Sequence, residues 1–170
     1  MNTMTESFEA YKKRIVGYVE SQEPMTLLGK MPGILEALVR EASPSQLQFR
    51  TASGKWSINE IVAHMADDEL VGAYRIRMIL SVPGTDIQAF DQAEWAVRGK
   101  YEQIPIEDSL ALFTRLRHTN LQLFHLLEPE QWDYFGIHAE RGKESIRDIA
   151  LYYAGHDINH LQQIRAILNR

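Results

Sequence analysis

Two long segments of the chain begin in the same way, and they constrain its fold more than any other feature. The run SINEI starts at Ser57 and the run SIRDI starts at Ser145, so an acidic residue follows each serine by three positions. This pattern is a capping box. The serine oxygen accepts a hydrogen bond from the backbone N–H of the acidic residue, and the acidic side chain accepts one from the backbone N–H of the serine. Apolar residues then recur at helical spacing in both segments. Two long helices are therefore predicted to begin at these serines.

Three further segments have the periodicity of amphipathic helices. The first covers Glu6 to Ser21, the second begins at Pro24, and the third runs from Pro105 to Glu128. A break is expected in the second segment at Pro32, because proline removes one helical hydrogen bond and clashes with the preceding turn. No part of the chain requires a β-strand.

The connection between the second and third main helices is long. It covers 85–106 and carries a short predicted helix at 89–98. A link of this length suits a crossover in a bundle better than a tight turn between neighbours. We therefore predict an all-α fold, a four-helix bundle with a long crossover between the second and third main helices. The chain 1–170 is expected to be a single domain, in which 1–23 forms a helical N-terminal extension.

Composition argues against several classes of function. The formal net charge is −5 and no long Lys/Arg run is present, so binding to nucleic-acid phosphates is not expected. The absence of cysteine excludes disulfides, a thiolate nucleophile and cysteine-ligated zinc, and it fits a reducing cytosol. The N-terminus lacks an apolar signal core, and no apolar run is long enough to span a membrane. We expect a soluble, cytoplasmic protein.

Three histidines have the spacing of a metal site. His156 and His160 lie four residues apart, so both rings face one side of the final helix. Counted from the capping serines, these two residues and His64 fall within roughly 80° of one another around the helix axis. Three imidazoles would leave one position for water, as in catalytic zinc sites, although nickel, iron and manganese also accept such ligands. Histidines hydrogen-bonded within a core are the alternative that the residues alone leave open.

Three motifs resemble those of the DinB-like metalloprotein superfamily, small bacterial helical bundles that include the YfiT-type thiol transferases. They are GKWSINEIVAHMADDE at 54–69, FDQAEWAV at 90–97 and ESIRDIALYYAGHDINHLQQI at 144–164. The resemblance extends from about Pro24 to the end of the chain. Its most specific part is W-S-x-x-E-x-x-x-H followed by G-H-D-x-x-H.

The resemblance implies a divalent metal ion held by one histidine of the second helix and two of the fourth. By motif position these ligands are His64, His156 and His160. It also implies a homodimer. Characterised relatives transfer groups to low-molecular-weight thiols or isomerise thiol adducts, so the family does not determine a substrate.

Several polar residues near these histidines are secondary candidates. Asp68 follows the first histidine by one turn and is the catalytic candidate, either orienting a ligand imidazole or acting as a general base. Asp67 and Asp157 are expected on an acidic, solvated face. Arg117 and Asn120 lie close to the apolar stripe of the third helix and could line a pocket; for Arg117, extension to solvent at the bundle edge is the alternative.

The remaining histidines and tryptophans have simpler expected roles. His118, His125 and His138 are expected to be surface or edge residues, the last in a loop. Trp56 precedes a capped helix, where packing as a hydrophobic staple is expected. The crossover that carries Trp95 is in a position to cover the mouth of a pocket.

Three functions of different classes fit these observations. The first is a metal-dependent enzyme whose three-histidine ion activates water or a small external thiol for hydrolysis of, or transfer to, a small molecule. Such an enzyme would be a thiol S-transferase or a hydrolase. The second is a non-catalytic metal-binding or stress-response protein. The third is a metal-free helical interaction module.

Overall fold

The computed structural model describes residues 6–19 and 22–170, which are mainly helical. The described residues contain seven α-helices: α1 (Phe8–Gly17), α2 (Pro24–Glu41), α3 (Pro44–Gln48), α4 (Ile58–Ser81), α5 (Gln92–Arg98), α6 (Ile106–His125) and α7 (Ile146–Leu168). Residues 1–5, 20 and 21 of the predicted extension 1–23 lie outside the described ranges. No helix in those ranges has the length and apolar character needed to cross a membrane.

Four of the helices, α2, α4, α6 and α7, form the bundle. α6 packs against both α2 and α4, and α7 contacts the same two helices. α2 and α4 therefore lie diagonally across the bundle, and α1 packs on the outside of α7. The connection from α4 to α6 contains α5 and the 3₁₀ turn Tyr101–Gln103, both of which contact α4. The predicted all-α four-helix bundle with a long crossover is confirmed.

Both predicted capping boxes are present. Ser57 Oγ accepts a bond from the Glu60 N–H at 3.3 Å, and the Ser57 N–H donates to Glu60 Oε2 at 2.9 Å. The corresponding distances between Ser145 and Asp148 are 3.1 Å and 3.0 Å. Each cap fixes the first residue of its helix, and thereby the angular position of every side chain that follows.

The break expected at Pro32 was wrong, because α2 continues through it to Glu41. Proline in a helix interior removes one hydrogen bond. The three buried side chains of α2, Leu28, Met31 and Leu35, lie before and after the proline on one face. Their burial outweighs the lost bond, which shows tertiary packing prevailing over local preference.

The expectation that no strand is present was also wrong. β1 (Asp86–Ile87) pairs in parallel with β2 (Phe135–His138), which pairs antiparallel with β3 (Gly142–Ser145). These strands are too short to give a readable alternation of apolar and polar residues. The sheet ends directly at the N-cap of α7, so it connects the crossover to the start of that helix.

The interior of the bundle has two apolar regions with a polar layer between them. At one end, the start of α4 packs with Phe113 and the end of α7. At the other, the end of α4 packs with Phe124 and the start of α7. Buried polar side chains of the same three helices lie between the two regions: His64, Asp68, Glu69, Arg75, Arg117, Asn120, His156, Asp157 and His160. Buried polar groups require partners, so this polar layer is the candidate for a functional site.

Candidate metal centre

Three buried histidines meet in the polar layer. His64 projects from α4, and His156 and His160 project from consecutive turns of α7; their exposed fractions are 0 %, 3 % and 5 %. His156 Nε2 lies 3.2 Å from His64 Nε2 and 3.0 Å from His160 Nε2. One ring nitrogen of each residue lies within 4.8 Å of the others. The structure therefore brings together the three residues that the sequence predicts as metal ligands.

The spacing of these nitrogens fits one metal ion. Ligands about 2.0–2.1 Å from a tetrahedral zinc ion are separated from one another by roughly 3.3 Å. His160 Nδ1 lies 3.0 Å from Gln163 Oε1, and an amide oxygen only accepts, so Nδ1 carries the proton and Nε2 keeps its lone pair. A cation at the point where the three rings converge would accept this lone pair and those of the other two neutral imidazoles. The donor set fits a divalent ion.

Burial keeps the three imidazoles neutral. It lowers the pKa of His64 and His156 well below the ordinary value, and a positive charge on His160 would lower both further. Burial also lowers the pKa of His160 to about 4, partly opposed by the hydrogen bond to Gln163. Neutral imidazole is the form that binds a metal ion, so the cluster is ready for a ligand role at neutral pH.

Trp56 forms a wall of the cluster. Its ring centroid lies 4.7 Å from that of His64 and 6.4 Å from that of His160, nearly parallel to the latter. It also packs against the adjacent apolar region, as the packing prediction expects. His64 Nδ1 is buried beside it and finds no hydrogen-bond partner in the described part of the chain.

Asp68 approaches the same nitrogens. Its Oδ2 lies 3.2 Å from His156 Nε2 and 3.7 Å from His64 Nε2. The carboxylate thus faces the point on which the histidines converge, instead of orienting a ring through Nδ1. Burial raises the pKa of Asp68 to about 7, against the opposing effect of the Arg75 and Arg141 guanidinium groups. This location suits a proton acceptor.

A buried ion-pair network lies behind the histidines. Arg117 Nη1 donates to Asp157 Oδ2 at 2.6 Å and its Nε donates to Glu69 Oε2 at 2.9 Å, while Asn120 Nδ2 donates to Glu69 Oε1 at 2.9 Å. Arg117 is only 1 % exposed and Asp157 2 %.

The solvated face expected for Asp157 and the extension to solvent considered for Arg117 were therefore wrong. The two carboxylates and the guanidinium satisfy one another, which permits their burial. The cavity that Arg117 and Asn120 border measures about 10 Å³, too small for a substrate. Asp67 is half-buried and accepts a hydrogen bond from the Tyr101 hydroxyl.

Two cavities flank the histidine cluster. The first, of about 400 Å³, borders His156 and His160 together with Trp56. The second, of about 460 Å³, borders Asp68. Gln92, the first residue of α5, borders both. The crossover is therefore part of the cavity walls, and Trp95 packs on Phe90 of the second cavity with ring centroids 4.7 Å apart.

The other histidines divide into two groups. His118 and His125 are exposed on α6, as expected. His138 is only 4 % exposed and lies in β2 at the second cavity, so the surface-loop expectation was wrong. The unpredicted hairpin places this residue beside Arg75 and Arg141.

Arg75 is one of the cavity residues that sequence reasoning missed. It is 6 % exposed and borders the second cavity with Asp68. A signal was present, because Arg75 follows His64 by eleven residues and Asp68 by seven. Both separations return to nearly the same helical face.

Comparisons with known proteins agree with this arrangement. A family model described as the DinB superfamily matches residues 27–164. A protein of Oceanobacillus iheyensis named "Putative metal-dependent hydrolase" is 29 % identical over 140 residues, which cover 82 % of this chain and 81 % of that protein. A second protein of that organism, with the same description, is 27 % identical over 131 residues, or 77 % of this chain and 75 % of that protein.

Two solved structures share the fold. YfiT from Bacillus subtilis, described as "a probable metal-dependent hydrolase with an unusual four-helix bundle topology", has a TM-score of 0.81 and 20 % identity, covering 100 % of this chain and 92 % of that one. TT2238, described as a four-helix bundle protein, has a TM-score of 0.63 and 23 % identity, covering 84 % of this chain and 96 % of that one. At these identities the likeness shows the fold.

Proposed function

Because the chain belongs to the DinB superfamily, we propose that it is a metal-dependent hydrolase of small molecules, with His64, His156 and His160 as the ligands of one divalent ion. The observation that carries this proposal is the convergence of the three buried histidines, with two Nε2–Nε2 distances of 3.2 Å and 3.0 Å. The names of the curated relatives support it. Zinc is the expected ion, since three neutral nitrogen ligands and an open position are typical of catalytic zinc.

An ion held by these three histidines would supply Lewis acidity, which lowers the pKa of water and polarises a carbonyl group. Asp68 accepts the proton that the attacking water loses, because its Oδ2 lies 3.2 Å from His156 Nε2 and faces the same point. Asp157, adjacent in sequence to His156, is paired with Arg117 of α6, and this pair holds that turn of α7 in place. Trp56 and Tyr152 limit the access of bulk water by packing against the histidine rings.

An external low-molecular-weight thiol is the second nucleophile to test. The chain has no cysteine, so a thiol would have to enter as a cosubstrate. The cavities on the two sides of the cluster provide separate spaces for a nucleophile and an electrophile. A transferase reaction would consume the thiol, whereas hydrolysis would leave it unchanged.

Metal analysis of the purified protein tests the ligand assignment. We expect about one equivalent of a divalent metal ion per chain in the wild type, and a large loss in His64→Ala, His156→Ala and His160→Ala. His118→Ala is the matched control, because this histidine is exposed on α6. Metal content that is unchanged in all three variants would reject the proposed centre.

Turnover is tested with a panel of esters, amides and thiol-reactive electrophiles, each with and without an added thiol. We expect hydrolysis that is lost on chelation and restored by the metal ion identified in the analysis. Asp68→Asn should retain the metal and lose about 10²-fold or more in kcat. Thiol-dependent turnover would assign the transferase reaction, and a panel without turnover would favour a non-catalytic metal-binding protein.

A further inference from the structure

The cavity on the Asp68 side of the histidines contains a buried cation. Arg75 is 6 % exposed and borders this cavity of about 460 Å³. Within residues 6–19 and 22–170, no carboxylate oxygen lies within salt-bridge distance of its guanidinium group, which instead donates from Nη2 to the Gln88 carbonyl at 2.9 Å. A charged side chain this deeply buried is normally paired with an opposite charge. Arg75 therefore lacks the partner that its burial calls for.

Two arginines that border this cavity each have one side-chain nitrogen without an acceptor in the described part of the chain. Nε of Arg75 and Nε of Arg141 are both buried and have no hydrogen-bond partner among the described residues. Arg141 nevertheless has a charge partner, since its Nη2 lies 2.8 Å from Glu144 Oε2. Unsatisfied buried donors are uncommon in native proteins and indicate a missing acceptor.

His138 adds another donor. The backbone N–H of Glu140 donates to His138 Nδ1 at 3.1 Å. The ring proton of the neutral imidazole must therefore be on Nε2. That Nε2 lies 3.3 Å from Arg75 Nη2, so two donor groups face each other, and among the described residues no acceptor is bonded to His138 Nε2. An oxygen that accepts from both would resolve this conflict.

We propose that this cavity binds a carboxylate group of the substrate, with Arg75 as its principal partner and His138 and Arg141 as additional donors. The proposal rests on the proposed function, because it names the substrate class of the same site. The charges favour a monoanion. Glu144 balances Arg141, and the carboxylates of Asp68, Asp91 and Glu140 also border the cavity. A phosphate dianion would therefore add a second negative charge to a cavity in which Arg75 is, among the described residues, the lining cation without a close carboxylate.

Two lining residues of the cavity, Asp68 and Tyr152, lie next to His156 of the metal centre. Asp68 borders the cavity and lies 3.2 Å from His156 Nε2. The Phe90 ring lies 5.7 Å from the Arg75 guanidinium carbon, and the Tyr152 ring lies 5.9 Å from the His156 ring in a stacked arrangement. A substrate held by its carboxylate at Arg75 would extend along these aromatic walls towards the metal centre. A small carboxylate with an apolar or aromatic body fits this space.

Three probes of one shape test the proposal: phenylacetate, phenylacetamide and phenyl phosphate. Their binding is measured by titration calorimetry on the protein as purified and after chelator treatment, so that coordination of the carboxylate to a metal ion is distinguished from binding to Arg75. We expect phenylacetate to bind with a Kd on the order of 1 mM in both preparations. The amide should bind at least about tenfold more weakly, because it carries no charge.

Variants assign the binding to Arg75. Arg75→Gln should weaken phenylacetate binding about tenfold or more, and Arg75→Lys should weaken it less, because lysine keeps the charge and loses the Nε–H donor. Arg115→Gln, which removes an exposed arginine of α6, should leave it unchanged. The melting transition of each variant is recorded by circular dichroism. If Arg75→Gln does not fold, the lysine variant and the carboxylate–amide comparison on the wild type decide the question.

Equal affinity for phenylacetate and phenylacetamide would overturn the proposal, as would binding that Arg75→Gln leaves unchanged. Tighter binding of phenyl phosphate than of phenylacetate would overturn the assignment to a carboxylate. Failure of the metal proposal would appear elsewhere, as metal content that the histidine variants do not change. Binding to Arg75 after chelator treatment does not depend on that result.

Discussion

His64 Nε2 and His156 Nε2 lie 3.2 Å apart in the bundle interior, although 92 positions separate the two residues in the chain. Both rings are buried, and burial holds their pKa values well below the ordinary range. Buried polar atoms require partners, so neutral rings whose Nε2 atoms converge on one point contribute little to folding by themselves. The polar layer is therefore a part of the bundle where stability should depend on an added ligand.

Addition of a divalent metal ion should raise the melting temperature. An ion present at 100 times its Kd stabilises the folded state by about 2.7 kcal/mol, which corresponds to roughly 5–10 °C for a chain of this size. Thermal melts of chelator-treated protein with added zinc provide the measurement. His156→Ala should lose the shift and His118→Ala should keep it. An equal shift in both variants would place the stabilising ion elsewhere.

The predictable part of the site followed from helical geometry. Once Ser57 and Ser145 fixed the helix starts, the angular positions of the three histidines followed from the sequence alone. The same arithmetic applied to Arg75 would have placed it beside His64 and Asp68.

Features that depend on contacts between distant segments could not be predicted from local sequence patterns. The burial of Asp157 requires Arg117 from α6, 40 residues away in the chain. His138 is buried because a short hairpin pairs with a two-residue strand of the crossover. Local sequence patterns favoured a solvated residue and a loop at these positions, and tertiary pairing overrode both.

Removal of the buried guanidinium should destabilise the protein strongly. Arg117→Met keeps most of the side-chain volume but leaves Asp157 and Glu69 buried without their cation. Breaking a buried pair in this way costs about 3–5 kcal/mol. Arg40→Met removes an exposed pair with Glu36 and should cost less than about 1 kcal/mol. Urea unfolding measures both, and equal losses would contradict the role assigned to the network.

Two glycines should respond to alanine in opposite ways. A Cβ at Gly155 of α7 would overlap the backbone carbonyl group of Ile15 in α1, so Gly155→Ala must displace α1 and should cost about 1–3 kcal/mol. A Cβ at Gly33 of α2 meets no heavy atom within 4 Å. Gly33→Ala should therefore stabilise the helix by about 0.5–1 kcal/mol. Urea unfolding compares the two variants, and a Gly155→Ala protein as stable as the wild type would contradict the close contact between α1 and α7.

His138 should make stability depend on pH. Burial, with the Arg141 and Arg75 guanidinium groups, lowers the pKa of His138 from 6.5 to about 4; the Asp68 and Glu140 carboxylates border the same cavity. The unfolded chain therefore binds more protons than the folded one between these pKa values. The contribution of His138 to the free energy of unfolding is therefore fully present above pH 6.5 and is lost as the pH falls towards 4.

The variant His138→Gln removes this dependence, so the loss of unfolding free energy from about pH 7 to about pH 5 should be about 1–2 kcal/mol smaller than in the wild type. Urea unfolding at the two pH values gives the difference. The histidines of the metal centre are present in both proteins, so their titration contributes equally to both and cancels from the difference between them. His118→Gln, at an exposed position of α6, should behave as the wild type does. If His138→Gln loses as much unfolding free energy between the two pH values as the wild type does, the His138 ring is not held neutral in this cavity.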